Sequence, residues 1–221
     1  MRRSLKTPRA AAVAGILFAL LYGTGLALIR LSIPDQDAAV GGAWLATSSG
    51  TIAFALNLVP YAGIAFLWFI GVIRDRLGDS EDRFIATVFL GSGLLFLALT
   101  FVGAALAGAL LTSYADAGEA FGSGVFAYGR AVMFQIINVY AIRMAGVFML
   151  SLGTLWLRTG LMHRAWTFVT YALALALLVS ISISLWVTLI FPAWVLAVSV
   201  YLLIQTKREH PEGAAAETGS A

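Results

Sequence analysis

The chain has 221 residues, 61% of them hydrophobic, a mean hydropathy of +0.92 and only 11% charged residues, against about 25% charge in a soluble domain, so it is too apolar to fold freely in water. Its formal charge of +3 matters less than where the charges fall, and no nucleic-acid partner is expected. The absence of cysteine excludes disulfides, thiolate metal sites, covalent haem attachment and cysteine nucleophiles.

Apolar runs of eighteen or more residues read as membrane helices. They predict an all-α polytopic membrane protein, a six-transmembrane-helix bundle with spans near 10–30, 50–73, 84–112, 125–157, 165–184 and 187–206. Residues 1–9 form a basic cytoplasmic N-terminus, 10–207 one transmembrane domain and 208–221 a disordered cytoplasmic tail, small and polar in composition. The first run, Ala10–Ile29, follows basic residues and ends near Gly25-Leu26-Ala27, as a signal peptide would. Its length exceeds the ~7–15 apolar residues of such a segment, so a retained helix is expected.

The connection Leu31–Ser49 is predicted to hold a short helix from Pro34, with Val40, Trp44 and Leu45 on one side, lying on the membrane surface rather than acting as a lid. In the second span Asn57 precedes Pro60, whose missing amide leaves the Leu56 carbonyl open to another donor. Four carboxylates, Asp75, Asp79, Glu81 and Asp82, lie in the loop Arg74–Arg83. They have the chemistry to hold Mg²⁺, but the expected structure is a solvated linker with Asp79 or Ser80 capping the third helix. The third span carries Gly103, Ala107 and Gly108, a small-residue face suited to a homo-oligomer or a membrane partner, although packing inside the bundle is the favoured expectation.

The stretch Glu119–Ala127 resembles the pore-entry motif of a lysosomal and bacterial potassium channel family, in which an aspartate follows the serine. Gly124 stands there in this chain and the run lies at the wrong span, so no family follows from it.

The fourth span holds Arg143, roughly 20 Å of helix from both Arg130 and Arg158 at ~1.5 Å per residue. A guanidinium near the midplane costs about 2.5–3.5 kcal/mol on insertion scales and must meet partners, water or a ligand. Every Asp and Glu lies in a loop or tail, so neutral groups must serve. Asn138 and Asn57 fall at similar depth, with Thr24, Thr100 and Ser180 near that level. The expected site is therefore a polar cluster of Arg143, Asn57 and Asn138, extended by Gln135 towards Arg130, below an outward-opening cavity for a small anionic solute. The competing expectation, slightly favoured over ligand binding, is an Arg143 that only cross-links helices through carbonyls and asparagines. The last run, Ala165–Gln205, suits two helices bent at Ser180–Trp186, with Pro192 at the start of the second.

Eleven of the fourteen cations fall in the N-terminal segment, the 74–83 loop, the 158–164 loop or after residue 206. These segments lie on one side, so both termini are expected in the cytoplasm; of the rest, Arg30 reads as an outer-loop residue and Arg130 and Arg143 belong to the fourth span. Trp68, Trp156 and Trp166 read as inner-interface anchors, Trp186 and Trp194 as outer ones.

No catalytic residues, metal ligands or cofactor are expected. His163 and His210 lie outside the spans, and no nucleotide-binding loop is present. The functional expectation is a non-catalytic subunit or scaffold of the cell membrane, the cytoplasmic membrane in a bacterium. The alternatives are a small transporter or channel-like protein with Arg143 as its anion site, and a membrane enzyme using the acidic inner loop.

Overall fold

In lipid, a helix satisfies all its amides within one segment, and in the computed structural model every element among the described residues, 7–33, 45–77, 83–117, 123–160, 162–179 and 185–217, is helical. The elements are α1 (Thr7–Ser32), α2 (Leu45–Leu77), α3 (Arg83–Ala117), α4 (Ser123–Gln135), a π-helical segment (Ile136–Ala141), α5 (Ile142–Thr159), α6 (Arg164–Val179), a 3₁₀ turn (Leu185–Leu189) and α7 (Ile190–Glu217). Five continuous apolar helices are long enough to cross a membrane: 10–32, 47–75, 83–116, 124–159 and 186–204; α6 is a shorter apolar helix. Large apolar side chains such as Leu20, Phe54, Ile64, Leu95, Phe168 and Leu175 are exposed, which suits a surface bathed in lipid rather than water.

With α4, the π segment and α5 counted as one continuous run, successive runs lie in opposite directions. The end where α1 finishes and α2 begins is the Arg30 end; the end where α2 finishes and α3 begins is the Arg74 end. α1 packs between α2 and α7, α3 against α2 and α5, and α5 against α6. The helices outrun the apolar runs that predict them. α3 has 35 residues, roughly 52 Å at ~1.5 Å per residue, because its ends continue past any ~30 Å hydrocarbon layer. α7 likewise continues to Glu217, through most of the segment assigned by composition to a disordered tail; Ala214, Ala215 and Ala216 are the strongest helix formers available there.

Two local features shape the fourth apolar run. Its middle widens into the π segment, where the Ile142 amide bonds the Ile137 carbonyl five residues back. This shifts the azimuth of everything before it relative to α5. Its far end closes at Gly160, whose φ of 66° places it in the left-handed region as its amide bonds the Trp156 carbonyl at 3.0 Å.

The core is aromatic. Phe18 of α1, Phe66 of α2, Phe96 of α3, Phe148 of α5 and Phe191 of α7 meet near mid-bundle, with ring centroids 4.7 Å apart for Phe18–Phe66 and for Phe96–Phe191. Trp156 and Trp194, expected at opposite interfaces, are instead buried side by side with centroids 5.9 Å apart. The reason is that the Trp194 indole N–H finds an internal acceptor, Thr170 Oγ1 at 2.9 Å, and needs no interface. Trp68 and Trp186 are exposed.

The surface helix expected around Pro34–Trp44, the carboxylates Asp79, Glu81 and Asp82, the Asp79–Ser80 cap and Ser180 lie outside the described residues, as do residues 218–221 of the tail.

Candidate functional site: a cationic cavity at the Arg30 end

A cavity of about 580 Å³ opens between the Arg30-end halves of α1, α2, α3 and α4, a volume in the ~300–1,000 Å³ range of small-molecule sites. Its walls are aliphatic and aromatic: Leu26, Ile52, Leu56, Ala107, Phe126 and Phe134 are representative. Two half-buried guanidinium groups face it, Arg30 of α1 and Arg130 of α4. None of its described lining residues is an Asp or Glu.

The depth of each group follows from helix geometry. Tyr22 and Thr100 lie at the deep end with Asn138 and Thr188. Arg30 is eight residues beyond Tyr22 on α1, and Arg130 is eight residues before Asn138 on the antiparallel run. Each arginine is therefore roughly 12 Å nearer the mouth than a floor residue, at ~1.5 Å per residue. The two charges share one level, and a wall that is apolar apart from Gln135 separates them from the floor.

At the floor the side chains bond back to their own helices. Thr100 Oγ1 donates to the Phe96 carbonyl at 2.8 Å. Asn138 Nδ2 donates to the Phe134 carbonyl at 3.1 Å, just before the π segment. At the mouth the situation differs: Arg30 Nε is buried with no hydrogen-bond partner. A buried donor left unpaired costs about 1–3 kcal/mol, more for a charged group, which an incoming acceptor would recover.

The expected site is thus divided by the structure. Arg130, Gln135 and Asn138 come together along the cavity. Asn57 is exposed on α2 and bonds back to the Ala53 carbonyl at 3.0 Å. Thr24 is also exposed, whereas Thr100 joins the floor. Arg143 does not line the cavity; its Nε donates to the Leu178 carbonyl at 3.5 Å. Arg30, expected in a loop, is in the last turn of α1, because the helix persists to Ser32, two residues before Pro34.

The Leu178 contact gives Arg143 a structural task. α6 has 16 residues, roughly 24 Å at ~1.5 Å per residue, short of a ~30 Å hydrocarbon layer. The carbonyls of its last turn have no partner within the helix. A cation there satisfies one of them and meets the negative end of the helix dipole. Two further polar contacts seat the same helix: Thr154 Oγ1 with the Tyr171 hydroxyl, and Trp194 with Thr170, both at 2.9 Å. Arg143→Met keeps the apolar stem and removes the donor. It is expected to destabilise the fold by about 1 kcal/mol, the lower range for a charged donor because the bond is long. Amide exchange at residues 176–179 should quicken while α1–α3 stay unchanged. Unaltered exchange at that turn would remove the capping role.

Gly103 and Ala107, weighed as a partner face or as packing within the bundle, pack inside it: a side chain at Gly103 would strike Ile137 of the π segment, and Ala107 lines the cavity. Gly108 has open space around it.

The chain matches no protein-family model, no curated protein and no solved structure.

Proposed function

We propose that this is a non-catalytic, six-span protein of the cell membrane that binds an anionic molecule in the cavity at its Arg30 end, with that end facing outward and both termini in the cytoplasm. The five long helices and the apolar α6 support six crossings. The clustering of cations at the Arg74 end supports the orientation: the described Arg74, Arg83, Arg158 and Arg164 are exposed there. The observation that carries the binding reading is the pair Arg30 and Arg130 at one level of a cavity with no described carboxylate in its lining. Arg30 Nε, buried without a hydrogen-bond partner, and a second guanidinium on the same cavity wall favour an anion. The anion site is therefore moved from Arg143 to these two residues. The floor is backed by the aromatic core, which favours a binding chamber over an open pore.

The test is equilibrium binding to the protein in zwitterionic nanodiscs, using a panel of carboxylates, phosphates and sulfonates of graded chain length. Arg30→Gln and Arg130→Gln are each expected to weaken binding at least tenfold, about 1.4 kcal/mol, and Arg74→Gln at the opposite end to leave it unchanged. Equal affinities in the wild type and both cavity variants would refute the reading.

A further inference from the structure

We propose that the molecule held in this cavity is a single-chain anionic amphiphile, its carboxylate or phosphate head between Arg30 and Arg130 and its acyl chain pointing down towards Tyr22 and Asn138. This rests on reading the cavity as an anion site, and three observations extend that reading from charge to shape. The volume of about 580 Å³ is far more than inorganic phosphate or a halide fills. The one buried, unpartnered donor among the described lining residues is at the mouth, Arg30 Nε, while Thr100 and Asn138 at the floor donate to the Phe96 and Phe134 carbonyls. Between the levels, some 12 Å of wall along the helix axes is lined mainly by Leu26, Ile52, Leu56, Ala104, Ala107 and Ile137, none of which offers a side-chain hydrogen bond, with Gln135 the polar exception. A small anion at the arginines would leave that shaft to be filled by water with the Gln135 amide as its side-chain partner, whereas an ordered water needs two to four. A methylene chain fills it without polar demand. The arrangement also matches the way such a molecule sits in a leaflet, head near the interface and tail towards the midplane.

The experiment is native mass spectrometry of the full chain released from zwitterionic nanodiscs doped with palmitate or, separately, with a lysophosphatidate. The expected result is one amphiphile retained per protein. Retention should fall at least tenfold in the double variant Arg30→Gln/Arg130→Gln and also in Ala107→Trp, which blocks the shaft and leaves the arginines in place. Palmitamide, which has the chain without the charge, should not be retained, and excess acetate or inorganic phosphate should not displace palmitate. Ala104→Phe, about one turn away on the same wall, repeats the blocking test should Ala107→Trp fail to fold, and thermal melting of each variant checks integrity. If acetate or phosphate displaces the adduct and both shaft-blocking variants retain it, the amphiphile is wrong and the small-anion reading stands. If removing both guanidinium charges leaves retention unaltered, the anion site itself is wrong and this inference falls with it. Preference for palmitate over the lysophosphatidate, or the reverse, assigns the head as carboxylate or phosphate.

Discussion

Phe66→Ala is expected to cost about 3 kcal/mol of stability, the lower end of the range for deleting a buried phenylalanine. Phe66 is fully buried and is the hub of the aromatic core. Its ring lies 4.7 Å from Phe18, 5.4 Å from Phe96, 5.3 Å from Phe148 and 5.7 Å from Phe191. Those four residues come from four other helices, so one truncation removes contacts that join α1, α2, α3, α5 and α7. The lower end applies because the unfolded reference of a membrane helix is still in lipid, where its side chain is not returned to water. What is lost is packing: the space left by the ring and edge-to-face pairs worth about 0.5–1.5 kcal/mol each. Phe168 provides the control, since its ring on α6 is 65% exposed. Phe168→Ala should change stability by no more than about 0.5 kcal/mol, as for substitutions away from the core. Unfolding in mixed micelles by added dodecyl sulfate measures both. A Phe66→Ala loss no larger than that of Phe168→Ala would show that the rings are not the joint between helices.

That core also shows where sequence reasoning reached and where it stopped. Depth along a helix is obtained by counting residues. The same counting that put Arg143, Asn57 and Asn138 in one layer also accounts for Arg30 and Arg130 at one level. Azimuth is not obtained that way. Asn57 shares a depth with its expected partners but is exposed, and its amide is satisfied one turn back on its own helix. Arg143 and Asn138 are separated by the end of the π segment, and a widened turn shifts which residues share a face, so they address α6 and the cavity respectively. No residue pattern noted in the sequence announced that widening. The signal that points to the cavity was nonetheless present, as matching eight-residue spacings from Tyr22 to Arg30 and from Arg130 to Asn138 on antiparallel helices. It was obscured because Arg30 follows the apolar run and was counted with the loop. The tryptophans mark a similar limit. Aromatic anchoring is a statistical tendency, and a buried threonine hydroxyl beside Trp194 outweighed it.

Gly15→Ala should destabilise the protein by about 1–3 kcal/mol, the usual range for overpacking, although alanine is favoured over glycine inside a helix by about 1 kcal/mol. A Cβ at Gly15 would collide with Ser199 Oγ of α7 and fall 2.8 Å from the Phe69 ring of α2, so the missing side chain is what lets α1 approach both neighbours. Gly71, with nothing within 4 Å of the corresponding position, isolates the propensity term: Gly71→Ala should be neutral or mildly stabilising. Ser199 is fully buried and its hydroxyl has no hydrogen-bond partner. Ser199→Ala is therefore expected to stabilise by about 1 kcal/mol, by removing an unsatisfied polar group from a dry contact. The two sites share the same few ångströms, so their effects should not add. In the double variant Gly15→Ala/Ser199→Ala the nearest obstacle is gone and only Phe69 has to give, and a favourable coupling of about 1 kcal/mol is expected, within the range for contacting residues. The four proteins of the cycle, melted in the same nanodiscs, measure that coupling directly. Strict additivity would mean that α1 and α7 do not meet at this point. The close approach that holds α1 beside α2 and α7, and so sets one wall of the cavity, would then need another cause.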